Sequence, residues 1–140
     1  MISAVLDTNT LASGTVNSFT PPGQIINQWR EGKFKLITSQ YIIDELYRTL
    51  QKPYFQKHLS LSQIEAFIDL LQNEATLTQI TVNLQGVATH TEDDYIIATA
   101  VSAKSDYLVT GDGPLRKKLG SLFRRVNIVT PSEFFKILQQ

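Results

Sequence analysis

Ile2-Ser3-Ala4-Val5-Leu6-Asp7-Thr8-Asn9 is a short apolar run that stops on a carboxylate. A second stretch repeats the pattern: Tyr107-Leu108-Val109-Thr110-Gly111-Asp112. Unbroken apolar runs of this length read as strands buried on both faces, the signature of a parallel sheet covered by helices. In such sheets ligands bind in the crevice beyond the carboxyl ends of the strands. Two strands that each end in an aspartate therefore predict one shared site.

Working outward, strand and helix signals alternate. Thr8–Thr20 reads as a polar loop, and Pro21-Pro22 introduces a helix through about Arg30, with Gly32 as its stop. Phe34–Thr38 is a second strand, and Ser39 is an N-cap candidate for a helix that carries Tyr41, Ile42, Leu46 and Leu50 on one face. Ser60 and Gln63 (or Ser62 and Glu65) offer a capping box for the next helix, and Thr76–Val82 alternates weakly like a strand. Asn83–Thr91 reads as loop, and Thr91 as the cap of a helix reaching about Ser102. Gly111-Asp112-Gly113-Pro114 leads into a basic helix stopped at Gly120, Val126–Val129 is the last strand, and Thr130-Pro131-Ser132-Glu133 starts a final helix. Strands separated by helices predict an α/β domain, a mainly parallel sheet with helices on both faces, spanning residues 1–140.

Composition narrows the chemistry. With 140 residues and 42% hydrophobic content, the chain is long enough to bury one core. No run approaches the roughly 20 apolar residues of a membrane span. No signal peptide is visible, and the absence of cysteine excludes disulfides, thiolate metal sites and a cysteine nucleophile. A reducing, cytoplasmic setting is the expectation.

The 13 basic and 13 acidic residues cancel, but they are unevenly placed. No Lys or Arg lies between Lys57 and Lys104, where Glu65, Asp69, Glu74, Glu92, Asp93 and Asp94 fall, whereas Arg116, Lys117, Lys118, Arg124, Arg125 and Lys136 follow. An acidic centre beside a basic flank suits a polyanionic substrate reacting at a metal.

Two further carboxylates fit the strand-end pair. Glu45 lies at the edge of its helix's apolar stripe, with Asp44 farther toward solvent. Asp94 opens the helix that contains Ile96-Ile97-Ala98-Thr99-Ala100, and Asp93 beside it reads as a cap or outer group. Each also has a plain structural explanation: Asp7 and Asp94 as helix-start residues, Asp112 as ordinary Asp-Gly-Pro turn chemistry. Together, Asp7, Glu45, Asp94 and Asp112 predict a divalent-metal site and a metal-dependent hydrolase. All-oxygen donors favour Mg²⁺ or Mn²⁺ over Zn²⁺. His58 and His90, the only histidines, sit in polar surroundings and read as surface residues.

Val5-Leu6-Asp7-Thr8-Asn9, Glu45, Asp93-Asp94 ahead of Ile97-Ala98-Thr99-Ala100, and Leu108-Val109-Thr110-Gly111-Asp112 together resemble the PIN domain, more narrowly the VapC-like toxins of toxin–antitoxin systems. The resemblance covers nearly the whole chain, in order. It implies a three-layer α/β/α fold and a Mg²⁺- or Mn²⁺-dependent ribonuclease acting on single-stranded RNA. Asp7, Glu45, Asp94 and Asp112 would then be the catalytic, metal-binding set. Asn9 and Thr110 match polar positions beside it, with Thr110 orienting a carboxylate or water and Asp93 in a supporting role. It further implies a homodimer silenced by a small antitoxin protein.

Two other classes stay open. A haloacid-dehalogenase-like phosphatase or phosphotransferase would use Asp7, but Asn9 stands where its second aspartate belongs, and no lysine fills the role it needs near the late strand. A non-catalytic PIN-like binding module would keep the carboxylates only as caps.

Overall fold

A computed structural model describes residues 1–88 and 90–140. The chain runs β1 (Ser3–Leu6), α1 (Thr8–Val16), α2 (Pro21–Arg30), β2 (Lys35–Thr38), α3 (Gln40–Leu50), α4 (Pro53–Gln56), α5 (Leu61–Glu74) and β3 (Thr76–Leu77). It continues through α6 (Thr91–Ser102), β4 (Tyr107–Val109), α7 (Gly113–Leu119), β5 (Leu122–Phe123), β6 (Val126–Val129) and α8 (Pro131–Leu138).

One six-stranded sheet takes the order β3-β2-β1-β4-β6-β5. All neighbouring pairs are parallel except β5 with β6. This is the expected three-layer α/β/α architecture with a mainly parallel sheet. Ala4, Val5, Leu6, Leu36, Ile37, Leu108 and Val109 are all buried, as strands covered on both faces require. The core extends from them to Leu11, Ile25, Ile42, Leu46, Leu50, Ile64, Leu71 and Phe134. The ring of Phe134 meets Phe34 edge-on with centroids 5.0 Å apart, fastening α8 beneath the sheet.

The topology fixes where a ligand fits. From β1 the chain builds outward through β2 and β3; it then returns to β4 on the other side of β1 and builds outward again. Between β1 and β4 the order reverses, and the crevice of a doubly wound sheet opens there. Asp7 follows β1 directly, and Asp112 lies three residues beyond the end of β4. A helix leading into a parallel strand starts at the strands' carboxyl edge, which brings the first turn of α6 to the same end.

Several sequence expectations hold at the level of caps. Ser39 accepts the Ile42 amide, and Ser60–Gln63 and Thr130–Glu133 each form a complete capping box. Others need correction. Thr8–Val16 is a helix rather than a loop, started by the Asp7 side chain accepting the Thr10 amide. The strand expected over Thr76–Val82 is only Thr76–Leu77, and β5 was not foreseen. His90, not Thr91, is the N-cap residue of α6. The loop expected over Asn83–Thr91 includes Thr89, which lies outside the described residues.

Candidate functional site

Asp7 leaves β1 with its backbone amide bonded to the Val109 carbonyl of β4 at 3.0 Å. Its two carboxylate oxygens have separate partners. Oδ1 accepts the Thr10 amide at 2.8 Å, and Oδ2 accepts the Thr110 hydroxyl at 2.6 Å. Thr110 Oγ1 in turn accepts the Asp112 amide at 3.1 Å, and Asp112 Oδ1 accepts the Leu115 amide at 3.1 Å to cap α7. One threonine thus ties the tips of β1 and β4 together. Both aspartates are helix caps, as their plain reading holds, and both also line a cavity.

That cavity, about 550 Å³, is walled by Asp7, Asn9, Glu45, Asp93 and Asp112, with Glu92 and His90 beside them. Glu45 arrives from α3 and accepts a hydrogen bond from the Thr8 hydroxyl. Carboxylates from four distant chain segments therefore face one space. Asn9 is exposed at its wall, while Thr110 is fully buried behind Asp7.

The placement of Asp94 departs from expectation. Its carboxylate turns away from the shared cavity and accepts the Gly86 amide at 3.0 Å and the Ala88 amide at 2.7 Å. Lys118 of α7 closes the same loop from the other side, donating to the Gly86 and Ala88 carbonyls at 3.3 and 3.1 Å. Asp93, expected as the outer group, takes the place beside Asp7 and Asp112. Adjacent residues point about 100° apart on a helix, and here Asp93 faces the cavity while Asp94 faces the loop at Gly86 and Ala88.

Electrostatics register the crowding. Burial raises the Asp7 carboxyl above its ordinary value against the opposing hydrogen bonds from Thr10 and Thr110, and Asp112 raises it further. Asp93 is pushed up to about 6, first by burial and then by the charges of Asp112 and Asp7. Each proximity is one that a cation would relieve.

All donors on the cavity wall except His90 are oxygens, the set that suits hard cations. Among the described residues no three acidic or histidine side chains close on a single point. An ion here would rest on one or two carboxylates, with water completing its shell, the usual manner of Mg²⁺.

Sequence reading missed Arg48 and Lys52, which line the cavity from the α3 side together with Thr49. Their spacing from Glu45, three and seven residues on, was the available signal. His90, read as a surface residue, is indeed exposed but stands on the cavity wall.

A mainly parallel α/β sheet with a carboxylate-lined crevice at its switch point defines the class of protein. Residues 3–113 match the family model described as PIN domain. The chain belongs to the PIN domain family, whose members are typically nucleases and generally use divalent metal ions. No curated protein matches the chain closely enough to add to this. Among the described residues no helix is long and apolar enough to cross a membrane.

Proposed function

We propose that this PIN domain is a Mg²⁺- or Mn²⁺-dependent ribonuclease that hydrolyses single-stranded RNA. The observation that carries the reading is the convergence of Asp7, Glu45, Asp93 and Asp112 on one cavity at the switch point of the sheet. A bound divalent ion would supply a polarised water and stabilise the departing oxygen of the phosphodiester. Asp7 and Asp112 are pre-oriented for a cation, because backbone amides and Thr110 fix their carboxylates. Glu45 is steadied by Thr8. Asp93 stands beside Asp7 and Asp112, where it can share in holding the ion or its water.

The test is cleavage of a single-stranded RNA with Mn²⁺ or Mg²⁺, with and without EDTA. Cleavage should stop in EDTA. Asp7→Asn and Asp112→Asn should each slow it by about 100-fold or more, beyond the roughly 10–100-fold typical when only a supporting group is lost. With Asp93 on the cavity wall, Asp93→Asn should cost more activity than Asp94→Asn, whereas Asp94→Asn should cost more stability. Equal cleavage in EDTA and in Mn²⁺ sinks the metal mechanism.

We further propose the VapC-like role: a toxin, working as a homodimer and silenced by a small partner protein. Its support is the sequence resemblance. A small open reading frame beside the gene, whose product copurifies with the protein and blocks cleavage, is the expected finding. A protein that cleaves RNA but has no such neighbour would instead be a free-standing processing nuclease.

A further inference from the structure

Helix α3 borders the acidic cavity with three chemistries in linear order. Tyr41 stands one turn before Glu45, and its ring stacks on Tyr95 of α6 with centroids 4.4 Å apart and planes inclined by 23°. Tyr95 is 44% exposed, so the pair offers an aromatic surface to solvent. Glu45 comes next, on the cavity wall. Arg48 follows one turn later, with Lys52 in the bend beyond the helix, both exposed and both lining the same cavity. Burial first, then the charges of Glu45 and Glu92, hold the Tyr41 phenol above its ordinary value.

An aromatic surface on one side of a candidate cutting site and two cations on the other match the two needs of an unpaired nucleic-acid strand. Bases stack on aromatic rings, and phosphates pair with Lys and Arg. Resting on the nuclease reading above, we propose that α3 is the rail that holds the substrate strand: the Tyr41–Tyr95 pair stacks a base on one side of the scissile phosphate, and Arg48 and Lys52 grip phosphates on the other. The floor of the cavity repels phosphate wherever a metal does not neutralise it, so these two cations set the direction in which the strand leaves. A duplex keeps its bases stacked on each other and gains nothing from the tyrosines, so the rail selects single strands.

Binding is read by fluorescence anisotropy of a labelled single-stranded RNA decamer in Mn²⁺, in the Asp7→Asn background so that the strand stays intact. The double change Arg48→Ala with Lys52→Ala should weaken binding by about tenfold or more and flatten the log K versus log salt plot by roughly 1.4, two phosphate contacts at about 0.7 each. Tyr95→Ala should weaken binding by about tenfold and leave that slope unchanged; Tyr95→Phe should restore it. All three variants should keep the native far-ultraviolet circular dichroism spectrum, so that lost binding reflects lost contacts rather than lost folding.

The outcomes separate the two proposals. Strand binding that depends on these residues, in a protein that hydrolyses nothing, keeps the rail and removes the nuclease. Unchanged binding and salt slope in the Arg48/Lys52 variant overturn the cationic half, and unchanged affinity in Tyr95→Ala overturns the aromatic half. No binding of the decamer, or equal binding of the duplex, overturns the rail altogether.

Discussion

Asp7 gives one oxygen to a helix amide and the other to a threonine hydroxyl, so its carboxylate has no freedom to rotate. Asp93 has no such anchor among the described residues and carries the charge of its neighbours instead. A carboxyl whose folded value is about 6, against 3.8 ordinarily, holds its proton more tightly in the folded than in the unfolded state. Between those values the folded state binds more protons at Asp93, so this group's contribution to stability falls as pH rises through the window from about 4 to about 6. Asp7, also raised, acts in the same direction. In EDTA-treated protein, urea midpoints at pH 4.5 and pH 7 should therefore differ in this sense, and by less in Asp93→Asn, which has no proton to release. Identical pH dependence in native and variant would show that neither burial nor the neighbouring charges raise Asp93.

Helix α1 exists because of what surrounds it. Its Thr, Ser, Asn and Gly residues are poor helix formers with no apolar stripe, and the sequence read as loop. Asp7 starts it, and α2 packs across it at very short range. A Cβ at Gly23 would lie 2.1 Å from the Asn17 carbonyl oxygen and 2.5 Å from Ser18 Cα; at Gly14 it would lie 2.4 Å from the tip of Ile26 and 2.8 Å from the Pro22 carbonyl oxygen. Backbone cannot swing aside as a side-chain tip can, and it lies closer at Gly23, so Gly23→Ala should destabilise by roughly 2 kcal/mol or more, and by more than Gly14→Ala. Thermal or urea unfolding checks the order; equal losses would mean that the α1–α2 contact yields. The same logic explains what was legible. Run-plus-aspartate marked the strand tips at once, since strand burial is written in consecutive residues. In α6, however, Ile96, Ile97, Ala98, Thr99 and Ala100 are all buried, so the apolar pattern has no phase and could not tell Asp93 from Asp94. Arg48 and Lys52 were harder to read for a different reason: their spacing from Glu45 was the one signal, and only the folded chain shows the cavity they line.

At the scale of the molecule, the cavity acids come from positions 7, 45, 93 and 112, which only the folded chain brings together. An ion that binds the folded state alone adds about 2.7 kcal/mol at 100 times its dissociation constant. For a chain of this size that is roughly 8 °C in melting temperature, at about 3 °C per kcal/mol. Saturating Mn²⁺ should raise the native midpoint by that order and the Asp7→Asn midpoint by much less, as scanning calorimetry would report; equal shifts would mean that the acids do not act as one site. The threonine that joins the two strand tips has a last consequence, for synthesis. Thr110 lies 103 residues after Asp7, its hydrogen-bond partner. At about 5–20 residues per second, a ribosome needs roughly 5–20 seconds to make that intervening length. Throughout that interval β1 lacks its β4 neighbour and Asp7 lacks its hydroxyl, so the growing chain carries a site with its first acid in place but unanchored. The candidate site is completed only when most of the chain has been made.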